Sequence, residues 1–111
     1  MIRQWDIYLF PFPEAGPHPA VIISPDERCG NGQYTTVNAL VCTSLRAGAA
    51  PKPTHVMLNS ADGFDWKTCA RCDVIHLIDK SQLGRRVGSV SIPRRRAIAK
   101  KINECLRLTS L

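Results

Sequence analysis

The chain has 111 residues, a length that suits one domain, and its 44% hydrophobic and 22% charged content is ordinary for a globular fold and argues against disorder. No apolar run reaches the roughly eighteen residues that a membrane-spanning helix needs, and the N-terminal stretch does not read as a signal peptide, so we expect a cytoplasmic protein. The net charge is +6, the pI is about 9.4, and ten of the fifteen basic residues are arginine. The planar guanidinium group of arginine fits the oxygen atoms of a phosphate. A nucleic-acid partner is therefore favoured over a basic surface kept only for solubility.

The first half of the chain predicts three strands. The segment Gln4–Phe10 alternates with the two-residue period of a strand. The proline-rich segment Pro11–Pro19 then predicts an irregular loop, because proline cannot donate to a sheet ladder. The short apolar run Ala20–Ser24 is typical of a strand buried on both faces. The Asn31–Gly32 turn precedes a longer strand, Tyr34–Ser44.

The second half continues the same pattern. A loop, Arg46–Pro53, leads to a strand at Thr54–Leu58. The polar, turn-like segment Asn59–Lys67 follows, and Thr68–Ile78 then predicts one further strand. Arg85–Val90 predicts a short strand with a glycine inside it.

The last element changes to a helical period. Apolar side chains recur at three- and four-residue spacing at Ile98, Ile102, Cys105 and Leu106. Ser91 and Pro93 precede them, where a capping hydroxyl and a first-turn proline are favoured. The sequence therefore predicts a mainly β fold, a small curled barrel-like sheet of about six strands with a C-terminal helix, as a single domain over residues 1–111.

Four stretches carry a resemblance to a known family. Trp5–Leu9 matches the opening Gly-Asp-Ile/Val of the family, with Trp5 in place of the glycine, and His18–Asp26 matches the family pattern Arg-Pro-Ala-Leu-Val-Ile-Ser-Pro. Val41–Ser44 matches Pro-Ile/Val-Thr-Ser, and Cys72–Gly88 matches a stretch that begins Asp-Gln-Ile-Arg-Thr-Ile-Asp-Lys. In this order and spacing the chain resembles the MazF/PemK family of toxin endoribonucleases, in the CcdB/MazF superfamily, over residues 5–90, and the closing helix also fits.

The resemblance implies a set of properties that composition and periodicity do not. It implies a homodimer of SH3-like barrels that acts as the toxin, a growth inhibitor, of a type II toxin–antitoxin system. It also implies sequence-selective cleavage of single-stranded RNA, including mRNA, without a metal or other cofactor. The implied partners are the RNA substrate and a cognate antitoxin whose disordered tail occupies the RNA groove, with no membrane.

The departure from the family that matters most lies at His18. The family's principal catalytic arginine precedes the proline of Arg-Pro-Ala, and His18 occupies that position. Imidazole exchanges protons near neutral pH, which suits a general base for a 2′-hydroxyl, but it is a poorer permanent cation for a charged phosphorane, a role that Arg85 or Arg86 can take. Pro17 and Pro19 stiffen the backbone on both sides. The alternative is a loop histidine that caps the end of a strand.

Four further residues are candidates for substrate contacts. Thr43 and Ser44 end a predicted strand with hydroxyls that can bind a phosphate oxygen, and we expect Thr43 to join His18 at the catalytic centre; ordinary strand and turn preferences are the alternative. Asp73 matches an acidic substrate-contact position of the family. His76 aligns with an arginine of the family, although a half-buried strand residue explains it equally well.

Two other patterns are weaker. Cys69 and Cys72 form a Cys-x-x-Cys pair, but no second pair completes a zinc site, so free thiols are the simplest interpretation of all five cysteines. Arg94–Arg96 begin the predicted helix, where we favour a solvated charge run over a phosphate contact.

A second hypothesis stays open beside the ribonuclease. A chain of the same fold that lacks the arginine at position 18 can be catalytically impaired. It would then only bind an antitoxin, a nucleic acid or, as in the related CcdB branch, DNA gyrase.

Overall fold

The computed structural model describes residues 1–13 and 15–108. In these ranges the chain forms seven strands and two α-helices. The strands are β1 (Asp6–Phe12), β2 (Gly16–Ile22), β3 (Thr36–Ser44), β4 (His55–Leu58), β5 (Thr68–Arg71), β6 (His76–Asp79) and β7 (Arg86–Ser89), and the helices are α1 (Asp26–Cys29) and α2 (Ile92–Leu106). Neither helix is long enough to cross the apolar layer of a membrane.

One antiparallel sheet contains all seven strands. Its order is β4-β5-β3-β2-β1-β7, and β6 pairs with β3 beside this path. The nine-residue β3 serves two partners along one edge, because Thr36–Ala39 pair with β6 while Cys42–Ser44 pair with β5. The sheet curls around its core and α2 closes it, so the predicted mainly β fold with a C-terminal helix is confirmed.

The sheet is buried on both faces near its centre. Ile7, Val21 and Leu40 lie on one face and pack with Ile98 of α2. The opposite face carries a second cluster, which contains Phe10, Phe12, Ala20, Ile22, Val37, Ala39, Val41 and Ile78. The prediction that the apolar run in β2 is buried on both faces is confirmed, since its last three residues are fully buried.

The proline-rich segment is not an irregular loop, so this prediction is wrong. β1 and β2 form a hairpin that includes Pro11, Pro17 and Pro19. Pro11 pairs with Pro17 and Leu9 with Pro19, whereas Phe10 pairs with His18. In an antiparallel hairpin, residue pairs joined by hydrogen bonds alternate with pairs that are not. All three prolines lie in pairs without hydrogen bonds, where no N–H has to be donated across the hairpin.

The predicted strand Thr68–Ile78 is also wrong as one element. It is divided into β5 and β6, and residues 72–75 connect them. The sequence passes through this break without glycine or proline, and the charged Arg71 and Asp73 alone do not indicate a turn. The break is required by pairing, because β5 and β6 lie in succession along the same edge of β3.

The start of α2 depends on a buried carboxylate rather than on a serine cap. Ser91 makes no side-chain capping bond, and its backbone N–H donates to Asp62 Oδ1 at 2.8 Å. Asp62 Oδ2 accepts from Arg94 Nη1 at 3.0 Å and from the Asn59 backbone N–H at 3.0 Å. The expectation that the arginine run is merely solvated is therefore wrong for Arg94.

Candidate functional site

A cleft opens where β2 and β3 separate. Its volume is about 480 Å³. It is lined by Leu9, Pro17, His18, Pro19, Cys42, Ser44, Gly63, Phe64, Asp65, Trp66, Thr68, Arg85 and Val87.

Proline explains why the two strands separate at this point. The N–H groups of alternate β2 residues point towards β3, as shown by the bond from Ile23 N just beyond the strand to Asn38 O at 3.0 Å. Pro19 lies four residues before Ile23, so its backbone nitrogen also points towards β3, but proline has no N–H to donate. The ladder between β2 and β3 accordingly ends at the pair Ala20–Val41.

The two predicted catalytic residues lie beyond the end of this ladder. His18 precedes Ala20 by two residues and Thr43 follows Val41 by two, so the observed pairing stops before it reaches either of them. A catalytic centre that joins His18 and Thr43 stays a prediction from the resemblance.

The hydrogen bond that His18 makes assigns its tautomer. Nδ1 lies 3.2 Å from the carbonyl oxygen of Gly16, which can only accept, so Nδ1 carries the proton of the neutral ring. This leaves the Nε2 lone pair free to accept a proton. His18 lies on the same face of the sheet as its pairing partner Phe10, and it also borders the cleft. It therefore lies at the rim, between that face of the sheet and the cleft.

Ser44 and Arg85 are two predicted contact residues that line the cleft. Ser44 Oγ accepts a hydrogen bond from Trp66 Nε1 at 3.0 Å. The Arg85 side chain is exposed, and no ion pair holds its guanidinium within residues 1–13 and 15–108. It is therefore a cation available to an anionic ligand.

Thr43 is not among the residues that line this cleft, because Cys42 and Ser44 on either side of it face the cleft and adjacent strand residues point to opposite faces; three further predicted contacts also lie outside it. Arg86 pairs with the buried Asp6 at 3.2 Å. Asp73 lies in the connection after β5, 3.6 Å from Arg71, and its Oδ1 is buried without a hydrogen-bond partner in the described part of the chain. His76 packs its ring edge-on against Phe12, with 5.1 Å between ring centroids, on the second core cluster.

The cysteines are free thiols, as expected. Cys69 lies on β5 and Cys72 just after it, and both are buried. Burial raises the pKa of Cys72 to about 12 and also raises that of Cys42, which disfavours the reactive thiolates. Among the described residues no cluster of three or more His, Cys, Asp or Glu is placed to hold a metal ion.

One cleft residue escaped sequence reasoning. Trp66 lies in the segment Asn59–Lys67, which the sequence predicts only as a polar turn, yet its side chain is 63% exposed at the cleft. A tryptophan between Asp65 and Lys67, without apolar periodicity around it, is itself a signal for an exposed aromatic group.

Comparison with known proteins places this geometry in a family. The model of a family described as PemK-like, MazF-like toxin of type II toxin–antitoxin system matches residues 3–106. No curated protein matches the sequence significantly.

Solved structures share the fold at low sequence identity. A mycobacterial endoribonuclease in complex with its cognate antitoxin is similar at 22% identity and a TM-score of 0.82, with 100% of both chains covered. The toxin MazF-mt6 of Mycobacterium tuberculosis is similar at 19% identity and 0.79, over 94% of this chain and 98% of that one. MazF from Deinococcus radiodurans is similar at 20% and 0.75, over 97% of each.

Proposed function

This chain belongs to the family of PemK-like, MazF-like toxins of type II toxin–antitoxin systems, and we propose that it cleaves single-stranded RNA in the cytoplasm, selectively by sequence and without a metal. The observation that carries the proposal is the cleft that opens where the β2–β3 ladder stops and that His18 borders. The cation of Arg85 and the hydroxyl of Ser44 in the same cleft support it.

The reaction that suits these groups uses the nucleophile of the substrate itself. His18 Nε2 accepts the proton of the ribose 2′-hydroxyl, and the 2′-oxygen attacks the adjacent phosphorus. Thr43 donates a hydrogen bond to a non-bridging oxygen of the phosphorane, and Arg85 offsets its negative charge. The bond to the 5′-oxygen then breaks, this oxygen takes up a proton, and the products are a 2′,3′-cyclic phosphate and a 5′-hydroxyl end.

The remaining predicted contacts belong to a longer substrate. Asp73, His76 and Arg86 lie outside the cleft, so we propose them as contacts to nucleotides away from the cleaved bond. Ser44, the residue after Thr43, also binds the phosphate. None of these roles requires a metal ion or an organic cofactor.

The test is incubation of the purified protein with a long single-stranded RNA in EDTA. We expect discrete fragments with 5′-hydroxyl ends from the wild type, none from His18→Ala, and normal cleavage from the control His55→Ala, since His55 lies on β4 outside the cleft. An RNA with a 2′-deoxynucleotide at the cut site should resist. Cleavage that survives His18→Ala would remove the general base from the mechanism, and no cleavage by folded wild type would favour a binding-only protein.

We also propose two protein partners. One is a cognate antitoxin with an acidic, disordered tail, which would compete with RNA for the cation of Arg85; the mycobacterial relative was solved with its own antitoxin. The other is a second copy of the chain. Val74, Ile75 and Leu77 expose 41%, 38% and 66% of their surface next to each other, an apolar strip that a homodimer would cover.

Sedimentation tests the homodimer directly. The wild type should sediment as a dimer and Leu77→Asp as a folded monomer, because an exposed leucine tolerates aspartate in the isolated subunit but not in an apolar interface. Leu108→Asp serves as a control at another exposed apolar side chain, 75% accessible. A Leu77→Asp protein that stays dimeric would exclude this strip as the interface.

A further inference from the structure

Trp66 is an exposed indole that the structure holds in place. Its side chain is 63% accessible, although tryptophan is usually largely buried. Its Nε1 donates to Ser44 Oγ at 3.0 Å, which ties the ring to the end of β3. The indole therefore has one defined position at the cleft instead of several rotamers.

The segment that carries Trp66 is fixed on both sides. On one side, Asn59 and Asp62 form a capping box and Phe64 is buried. On the other, the Leu45 backbone N–H donates to Lys67 O at 3.2 Å. Because little conformational entropy remains to be lost on binding, a ligand gains most of the contact energy with the ring.

The faces of this ring are available, in contrast to those of another exposed aromatic residue. Tyr34 is 46% accessible, and the guanidinium of Arg28 covers its ring at 4.5 Å. Within the described ranges, no ring and no guanidinium stacks on Trp66. A planar, uncharged π face beside the exposed cation of Arg85 matches a nucleobase followed by its phosphate.

We propose that Trp66 stacks on a base of the RNA strand next to the cleaved phosphate; this rests on the proposed ribonuclease function. Stacking accepts any base, so Trp66 contributes affinity and a preference for unpaired RNA, while other groups read the sequence. A base inside a duplex cannot offer its face without leaving the stack. Trp66 is thus a substrate-positioning residue that favours single strands.

The test combines kinetics with fluorescence. Trp66→Ala should raise KM for single-stranded RNA about 5- to 140-fold at nearly unchanged kcat, the loss expected for one stacked base. Trp66→Phe should recover much of it, and Ser44→Ala should also raise KM, because it removes both the hydrogen bond that holds the ring and the hydroxyl proposed to bind the phosphate. Tyr34→Ala is the matched control and should leave KM unchanged, since its ring is already covered by Arg28.

Binding is measured separately from cleavage with a 2′-O-methyl RNA, which cannot supply the nucleophile. In a Trp5→Phe background, Trp66 is the sole tryptophan, because the chain has two. Its emission should be quenched on titration, and less so by a duplex of the same sequence.

The outcomes separate this inference from the proposed function. Cleavage by wild type with an unchanged KM in Trp66→Ala overturns the stacking role and leaves the ribonuclease standing. Quenching without any cleavage supports stacking and removes the enzyme. Absence of both overturns both. A Trp66→Ala protein that keeps its RNA affinity but loses affinity for an antitoxin peptide would make the indole a protein contact, against the inference.

Discussion

The three consecutive arginines at the start of α2 should differ sharply in their effect on stability. Arg94 donates to Asp62 at 3.0 Å and to Met57 O at 2.6 Å, and the Asp62 side chain is fully buried. Among the residues that the structure describes, the Arg95 side chain donates only to the carbonyl of Val90, at 2.8 Å. Arg96 is exposed.

The expected cost follows from what each substitution leaves behind. Replacing Arg94 by methionine leaves a buried carboxylate without its cation, a change that usually costs about 3–5 kcal/mol. Two backbone N–H groups still bind Asp62, and 25% of the Arg94 side chain reaches solvent, so we expect the lower end, about 3 kcal/mol. For a domain of this size that lowers Tm by roughly 12–20 °C. Arg95→Met loses one charged hydrogen bond, about 1.5 kcal/mol.

Urea unfolding followed by circular dichroism measures the series. We expect Arg94→Met to unfold at the lowest urea concentration, Arg95→Met in between, and Arg96→Met with the wild type. The double variant Asp62→Ala/Arg94→Met should lose less free energy of unfolding than the two single changes added together, since the pair acts as one unit. Equal stability of all three single variants, with loss of RNA affinity in Arg94→Met, would refute the structural role and restore a phosphate contact.

Three further predictions use other parts of the structure. Gly88→Ala should impair folding, because a Cβ there would lie within 3.0 Å of the backbone of Asp62 and its neighbour, whereas Gly32→Ala, with open space around it, should be tolerated as judged by thermal unfolding. Burial lowers the pKa of His55, so the unfolded chain binds its proton more readily; this stability is present above about pH 6.5 and is lost as pH falls towards the folded pKa, and His55→Gln should flatten that decline in urea unfolding between pH 7 and 5. With iodoacetamide at pH 8, mass spectrometry should find Cys105 alkylated first and the four buried thiols only after unfolding; equal rates in native protein would contradict the packing.

Local pattern was sufficient for most of the fold. The run at Ala20–Ile22 and the helical period that ends in Leu106 are strong signals, because the first reflects burial on both faces of the sheet and the second reflects packing of one helix face against the sheet. The local sequence pattern gave wrong predictions where pairing between strands determined the structure. Pro17 and Pro19 are compatible with a strand because their nitrogen atoms point away from β1, into the gap where the β2–β3 ladder has ended.

The site was less accessible to sequence reasoning. His18 and Thr43 are 25 positions apart in sequence, and only resemblance to a family suggested that they meet. Asp73 was suggested by a family position and Arg86 as a cation for the phosphorane, but each lies beside an opposite charge in this chain. Trp66 was missed because a polar segment does not reveal which of its side chains faces a cleft.

Trp5 has a left-handed backbone conformation at a position where the family that the sequence resembles has glycine. Its φ of 74° lies in the region that glycine adopts without strain. Trp5 packs against the core beneath α2. Burial of the indole here offsets a backbone conformation that costs about 1–2 kcal/mol in other residues.

The prolines of β2 also determine how a peptide could lie in the cleft. A polypeptide that entered in extended form would seek main-chain hydrogen bonds from both walls, as an added strand does. Pro17 and Pro19 offer no N–H groups on their side, so such a guest would receive main-chain donors from the β3 wall alone. The cleft is thereby protected against capture by stray strands, including those of other copies of the chain, while a nucleic acid, which needs no such ladder, enters without loss.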